Sequence, residues 1–95
     1  MFVRIVRFTG VTSDRIKAVA ARIEAEDGPP PGVPTTELKL MFDEAQGTAV
    51  VFQYFETAEE MKAGAQALGA MDASETPGTR VSVDMCEMVL ERTII

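Results

Sequence analysis

The sequence predicts an α+β domain in which four strands and two helices follow in the order strand, helix, strand, strand, helix, strand, with both helices on one face of an antiparallel sheet. Three observations predict it. Segments rich in β-branched and aromatic residues are bounded by glycine or proline, two other segments switch to helical spacing behind a threonine, and that strand-to-helix unit occurs twice. With 95 residues, the chain is expected to form a single domain, residues 1–95, around one core.

Residues 2–9 (FVRIVRFT) read as the first strand, stopping at Gly10. From Thr12 the period changes: Ile16, Val19, Ala20 and Ile23 share a helical face opposite Asp14, Arg15, Lys17, Arg22 and Glu24. Thr12 suits the N-cap, with Val11 and Ile16 placed for a hydrophobic staple. Gly28 and the prolines that follow end this helix, and residues 28–34 (GPPPGVP) form a stiff connector, because proline lacks an amide donor and restricts the residue before it. Glu37 to Phe42 reads as the second strand, 43–48 as a hairpin loop around Gly47, and Ala49 to Phe55 as the third strand. Thr57 and Glu60 form a capping box for a second helix with the apolar line Met61, Ala65, Leu68 and Met71. Thr76-Pro77-Gly78-Thr79 has the pattern of a type II turn, and Arg80 to about Glu91 is the last strand.

The two halves repeat one plan. Thr12 precedes Ile16, Ala20 and Ile23 by the same intervals at which Thr57 precedes Met61, Ala65 and Leu68. Each half is a strand feeding a capped helix that returns to a strand, the duplicated split βαβ of a ferredoxin-like sheet.

Composition removes several functions. The net charge of -6 opposes binding to nucleic-acid phosphates and to anionic membranes. No apolar run is long enough for a signal peptide or membrane helix, and the single cysteine, Cys86, cannot form an internal disulfide, so the expected compartment is the cytosol. The chain contains no His, Trp or Asn. Without His there is no Ser-His-Asp triad, no Cys-His pair and no ordinary zinc site, and no metal or cofactor is expected. An RNA-recognition sheet would need rings where Thr48, Val50 and Gln53 stand, and an acylphosphatase would need an Asn.

If the helices cover one sheet face, the other should be polar in a monomer. Instead Phe2, Val6 and Phe8 oppose Val3 and Ile5, Val50, Phe52 and Tyr54 oppose Val51 and Phe55, and Val81, Val83 and Met85 oppose Cys86, Met88 and Leu90. An open face of about 800 Å², the area one partner commits to a standard interface, exceeds the about 300–600 Å² of the largest apolar patch on a typical monomer. The face is expected to meet another protein surface, a ligand, or both.

In element order, paired capped helices and doubly apolar sheet, the whole chain resembles the dimeric α+β barrel superfamily, including the antibiotic-biosynthesis monooxygenase-like proteins. The resemblance implies a homodimer joined through the open sheet faces, with a pocket between sheet and helices or at the barrel centre, used in some members for cofactor-free oxidation of aromatic compounds. The leading expectation is a homodimer that binds a small apolar or aromatic ligand. One alternative is a cofactor-independent monooxygenase-like enzyme acting on an aromatic or polyketide-type substrate. The other is a purely structural interaction module whose barrel is packed solid.

The candidate ligand-binding residues are Arg4, Tyr54 and Asp84. Arg4 and Asp84 sit mid-strand among apolar neighbours on adjacent strands, where they either pair on the barrel face or reach water at an edge. Tyr54 either donates to a ligand carbonyl or sends its hydroxyl to the rim. Gln53 either orients a ligand or satisfies a dimer contact, the latter being preferred. Cys86 has no His to activate it and reads as a small buried hydrophobe. The acidic pairs Glu26-Asp27, Asp43-Glu44 and Glu59-Glu60 lack the spacing of a calcium loop and read as solvated charge.

Overall fold

The computed structural model of the chain describes residues 1–30, 32–70 and 75–95. Strands β1 (Phe2–Thr9), β2 (Glu37–Asp43), β3 (Thr48–Phe55) and β4 (Thr79–Glu87) pair antiparallel in the order β2-β3-β1-β4, interleaved in sequence with helices α1 (Ser13–Ala25) and α2 (Ala58–Gly69). This is the ferredoxin-like βαββαβ arrangement. Both helices lie on the same side of the sheet. Val6 and Phe8 of β1 and Ala49 of β3 pack with Ile16 of α1, while Phe55 of β3 packs with Met61 of α2 and with Val33. The register sets Phe8 opposite Ala49 and Phe2 opposite Phe55, so these strand positions share one face.

Both helices start as their threonines dictate. Thr12 Oγ1 accepts from the Arg15 N–H at 3.2 Å and Thr57 Oγ1 from the Glu60 N–H at 3.1 Å, each satisfying a first-turn amide that has no partner within its helix. The most buried helix positions are also equivalent: Ile16 and Val19 in α1, Met61 and Gly64 in α2, each four and seven residues past its cap. Met71 and Pro31 lie outside the described residues.

Gly64 belongs to this list because the Phe55 ring lies against it. A Cβ at position 64 would come within 2.7 Å of Phe55 Cε1 and 2.9 Å of Cζ. A helix surrenders propensity here to let an aromatic ring approach its backbone.

Two expectations about the last strand are corrected. Thr76–Thr79 is not a type II turn, since such a turn needs a positive φ at Gly78, and the positive-φ glycines among the described residues are Gly10, Gly32 and Gly47. Gly78 is required for space instead: a Cβ there would collide with the Thr9 carbonyl oxygen and lie 2.9 Å from Val11 Cγ2. We expect Gly78→Ala to lower stability by about 1–3 kcal/mol, read as a lower urea midpoint; an unchanged midpoint would mean that the backbone at Thr9 yields freely.

The second correction concerns length. β4 stops at Glu87, not near Glu91, because its neighbour is β1 and the ladder runs out where Glu87 meets Phe2. Met88 adds one backbone bond to the Met1 carbonyl at 3.0 Å, and residues 88–95 then leave the sheet. Earlier in β4 the register shifts between Arg7 and Phe8, which face Ser82 and Arg80 and leave Val81 as a bulge. The bulge reverses parity along the strand, so Arg80 faces the helices together with Val83 and Met85. Val83 and Met85 remain exposed, because α2 sits over β1 and β3 and not over β4.

Candidate functional site

A cleft of about 1130 Å³ opens between the sheet and the helices. Its floor is the helix-facing side of three strands: Val6 and Phe8 from β1, Val51 and Gln53 from β3, Leu38 and Leu40 from β2. The second half of α1, through Val19, Arg22 and Ile23, forms one wall, and Ala67 and Leu68 of α2 contribute to the other. Pro29, Pro30 and Val33 of the connector supply part of the rim. Val33 is buried against Phe55 and Met61, and the Thr36 N–H and Thr35 Oγ1 both bond the Tyr54 carbonyl at 2.8 Å, so this segment is tied to β3 at its far end. Opposite, α1 is clasped to the segment before β4. Arg15 Nε and Nη2 donate to the Thr76 carbonyl at 2.9 and 2.7 Å, and Arg22 donates to the Glu75 carbonyl at 2.7 Å beside a 3.7 Å ion pair with its carboxylate.

Into this largely apolar floor the sequence places one charged group. Arg4 is buried, with 4% of its surface exposed, and its Nη1 donates to Gln53 Oε1 at 2.8 Å. The two residues face each other across β1 and β3, which is why a glutamine at 53 reaches an arginine at 4. Gln53 is equally buried, at 6%. Arg4 Nε is buried with no hydrogen-bond partner. Burial holds the Arg4 guanidinium below its ordinary pKa, and the like charge of Arg80, which also lines the cleft, pushes the same way. Among the described residues no carboxylate pairs with either arginine; the ion pairs there are Arg22–Glu75 and Lys39–Glu37. Glu26 and Asp27 stand at the exposed rim of the cleft, whereas the Glu37 carboxylate pairs with Lys39 beside Tyr54 on the open face.

Comparison with protein-family models, with curated proteins and with solved structures finds no match for this chain. The site must therefore be read from its own chemistry.

The register separates the residues that the sequence singled out. Arg4 lies opposite Met85, not Asp84, and faces the helices. Asp84 lies opposite Ile5 on the open face, exposed on an edge strand, and does not meet Arg4. Tyr54 is also on the open face, half-buried, with Lys39 Nζ 5.4 Å from its ring centroid. Gln53 is on the helix side, so the expected dimer contact is corrected: its carbonyl serves Arg4. Cys86 is half-buried opposite Val3 on the open face. Of the acidic pairs, Asp43 accepts from Gln46 inside the hairpin and Glu59 and Glu60 lie in the first turn of α2.

Arg80 was not among the sequence candidates. Before the bulge is placed, parity along β4 assigns it to the same face as Asp84. No three potential metal ligands cluster among the described residues, and no described helix is long and apolar enough to cross a membrane.

Proposed function

We propose that this chain is a homodimeric α+β barrel protein that takes a small, largely apolar ligand into the cleft between its sheet and helices. The observation that carries the reading is the cleft itself. Its volume of about 1130 Å³ is enough for a whole small molecule, its floor is mostly aliphatic and aromatic, and a few polar groups converge at one place. A domain of this size that needed only a core would be expected to fill such a space.

The dimer rests on the opposite face. Ile5, Val50, Phe52 and Tyr54, each partly exposed, run side by side across β1 and β3 around the already buried Val3, and the exposed Met41 continues them onto β2. Covering them with the same face of a second copy removes this surface from water by two-fold self-complementarity. The enzyme reading loses support from the register, because Tyr54 and Arg4 would have to polarise one substrate from opposite sides of the sheet.

The test is a thermal-shift screen of aromatic and polyketide-like compounds, with light scattering at micromolar protein. A ligand at a hundred times its dissociation constant is expected to add about 2.7 kcal/mol of stability, and the scattering mass is expected to be twice that of the chain. A monomer by scattering would remove the dimer. A screen with no stabilising compound would favour a packed interaction module. Oxygen consumption with a stabilising compound would return the enzyme to consideration.

A further inference from the structure

We propose that the cleft recognises an organic acid, seating the carboxylate of an otherwise apolar molecule on Arg4, with Gln53 as the positioning residue and Arg80 as a second cation. This rests on the reading that the cleft holds a ligand, and it names the chemical class.

Three features converge on a carboxylate. The first is geometric. A guanidinium presents two forked edges, and Gln53 Oε1 takes Nη1. The edge made by Nε and Nη2 keeps no protein acceptor among the described residues, and Nε is buried without a partner. Two parallel N–H groups on one edge match the two oxygens of a carboxylate.

The second feature is charge. A buried cation is ordinarily matched by an acid or neutralised, and arginine does not neutralise. Here the side chain that comes closest is neutral Gln53, and Arg80 adds charge of the same sign. Both arginines line one cleft, whereas the third, Arg22, is bonded to Glu75. A ligand bearing one negative charge supplies what the protein leaves out. The third feature is the floor around Arg4, where Val6, Val51 and Leu38 offer contact to an apolar body and nothing to a polyanion.

Gln53 acts through Arg4. By holding Nη1 it gives the guanidinium a pivot, about which the free edge can swing to the ligand. Nε is screened from water, so side-on seating requires the guanidinium to turn toward the cleft as the acid arrives.

The experiment compares organic acids with their primary amides, which keep shape and remove charge: octanoate with octanamide, cinnamate with cinnamamide, naphthoate with naphthamide. Dissociation constants are measured for the intact chain and for Arg4→Met and Arg80→Gln. At least one acid is expected to bind about tenfold or more tightly than its amide, as for a charge-assisted bidentate contact. Arg4→Met is expected to bring acid and amide within about twofold while amide binding persists, which also reports that the variant is folded. Arg80 is exposed at the cleft, and Arg80→Gln is expected to weaken the acid about threefold relative to its amide, a Coulomb contribution at partial exposure. Nitrogen-edited NMR supplies a readout in the unaltered protein: the Arg4 Nε–H proton is expected to move downfield with the acid and not with the amide. Equal binding of acid and amide would overturn the carboxylate while keeping the cleft as a binding site. Failure of both members of every pair would overturn both. An acid preference that survives Arg4→Met, or an Nε–H resonance that does not respond, would overturn the assignment to Arg4.

Discussion

Replacing Phe55 with alanine is expected to cost about 3–5 kcal/mol, which for a domain of this size lowers the melting temperature by roughly 15–30 °C. Phe55 is the largest side chain with no exposed surface, and it holds together Val33 of the connector, Met61 of α2, and the flanking Phe2, Ala67 and Leu68. Removing its ring opens a cavity where three parts of the chain meet, so little can collapse into the space. Gly64 sharpens the test. On helix propensity alone Gly64→Ala should stabilise α2 by about 1 kcal/mol, but the added methyl meets the Phe55 ring at 2.7 Å and overpacking of that kind costs about 1–3 kcal/mol. The substitution is therefore expected to destabilise the intact protein and to stabilise the Phe55→Ala protein, where the methyl enters the vacated space. Calorimetry of the four proteins reads both signs. A Gly64→Ala change that stabilises the intact chain would mean that the ring does not press on the helix.

The elements were legible in the sequence because each has a local cause. Thr12 and Thr57 mark their helices by a polar cap followed at fixed distance by apolar residues, and the structure places both caps and both buried faces where that pattern put them. The strands were legible from their composition. What a single strand does not reveal is which partner it meets and at what offset, and the candidate site depended on that. On β1, Arg4 shares parity with Val6 and Phe8, and on β3, Gln53 shares parity with Val51 and Phe55, but both faces of each strand are apolar, so alternation alone did not tell which face meets the helices. β4 gave the misleading signal. Both its faces are apolar, and the bulge at Val81 moves the helix-facing set from even to odd numbers, which hid Arg80 and lent Asp84 a partner it does not have. Gly64 and Gly78 were equally hard to read, since the reason for each is a close approach between segments distant in sequence.

The pair on the cleft floor is expected to show inverted dependence between its two members. Gln53→Leu removes the acceptor of a charged donor, leaving Arg4 Nη1 as well as Nε without a protein partner, and is expected to destabilise by about 1.5–3 kcal/mol. Adding Arg4→Met to that variant is expected to restore the loss and to exceed the original stability by about 1–4 kcal/mol, because a buried charge and its polar partner give way to apolar side chains of similar volume. Urea denaturation of the two single variants, the double variant and the intact protein closes the cycle. If the double variant is less stable than Gln53→Leu alone, Arg4 contributes to the fold as a packed side chain and its charge is incidental. If the double variant is the most stable of the four, the chain holds at this site a charged pair that its fold would do better without. That outcome fits a floor kept for recognition, where stability is surrendered so that one guanidinium edge stays free for an incoming acid.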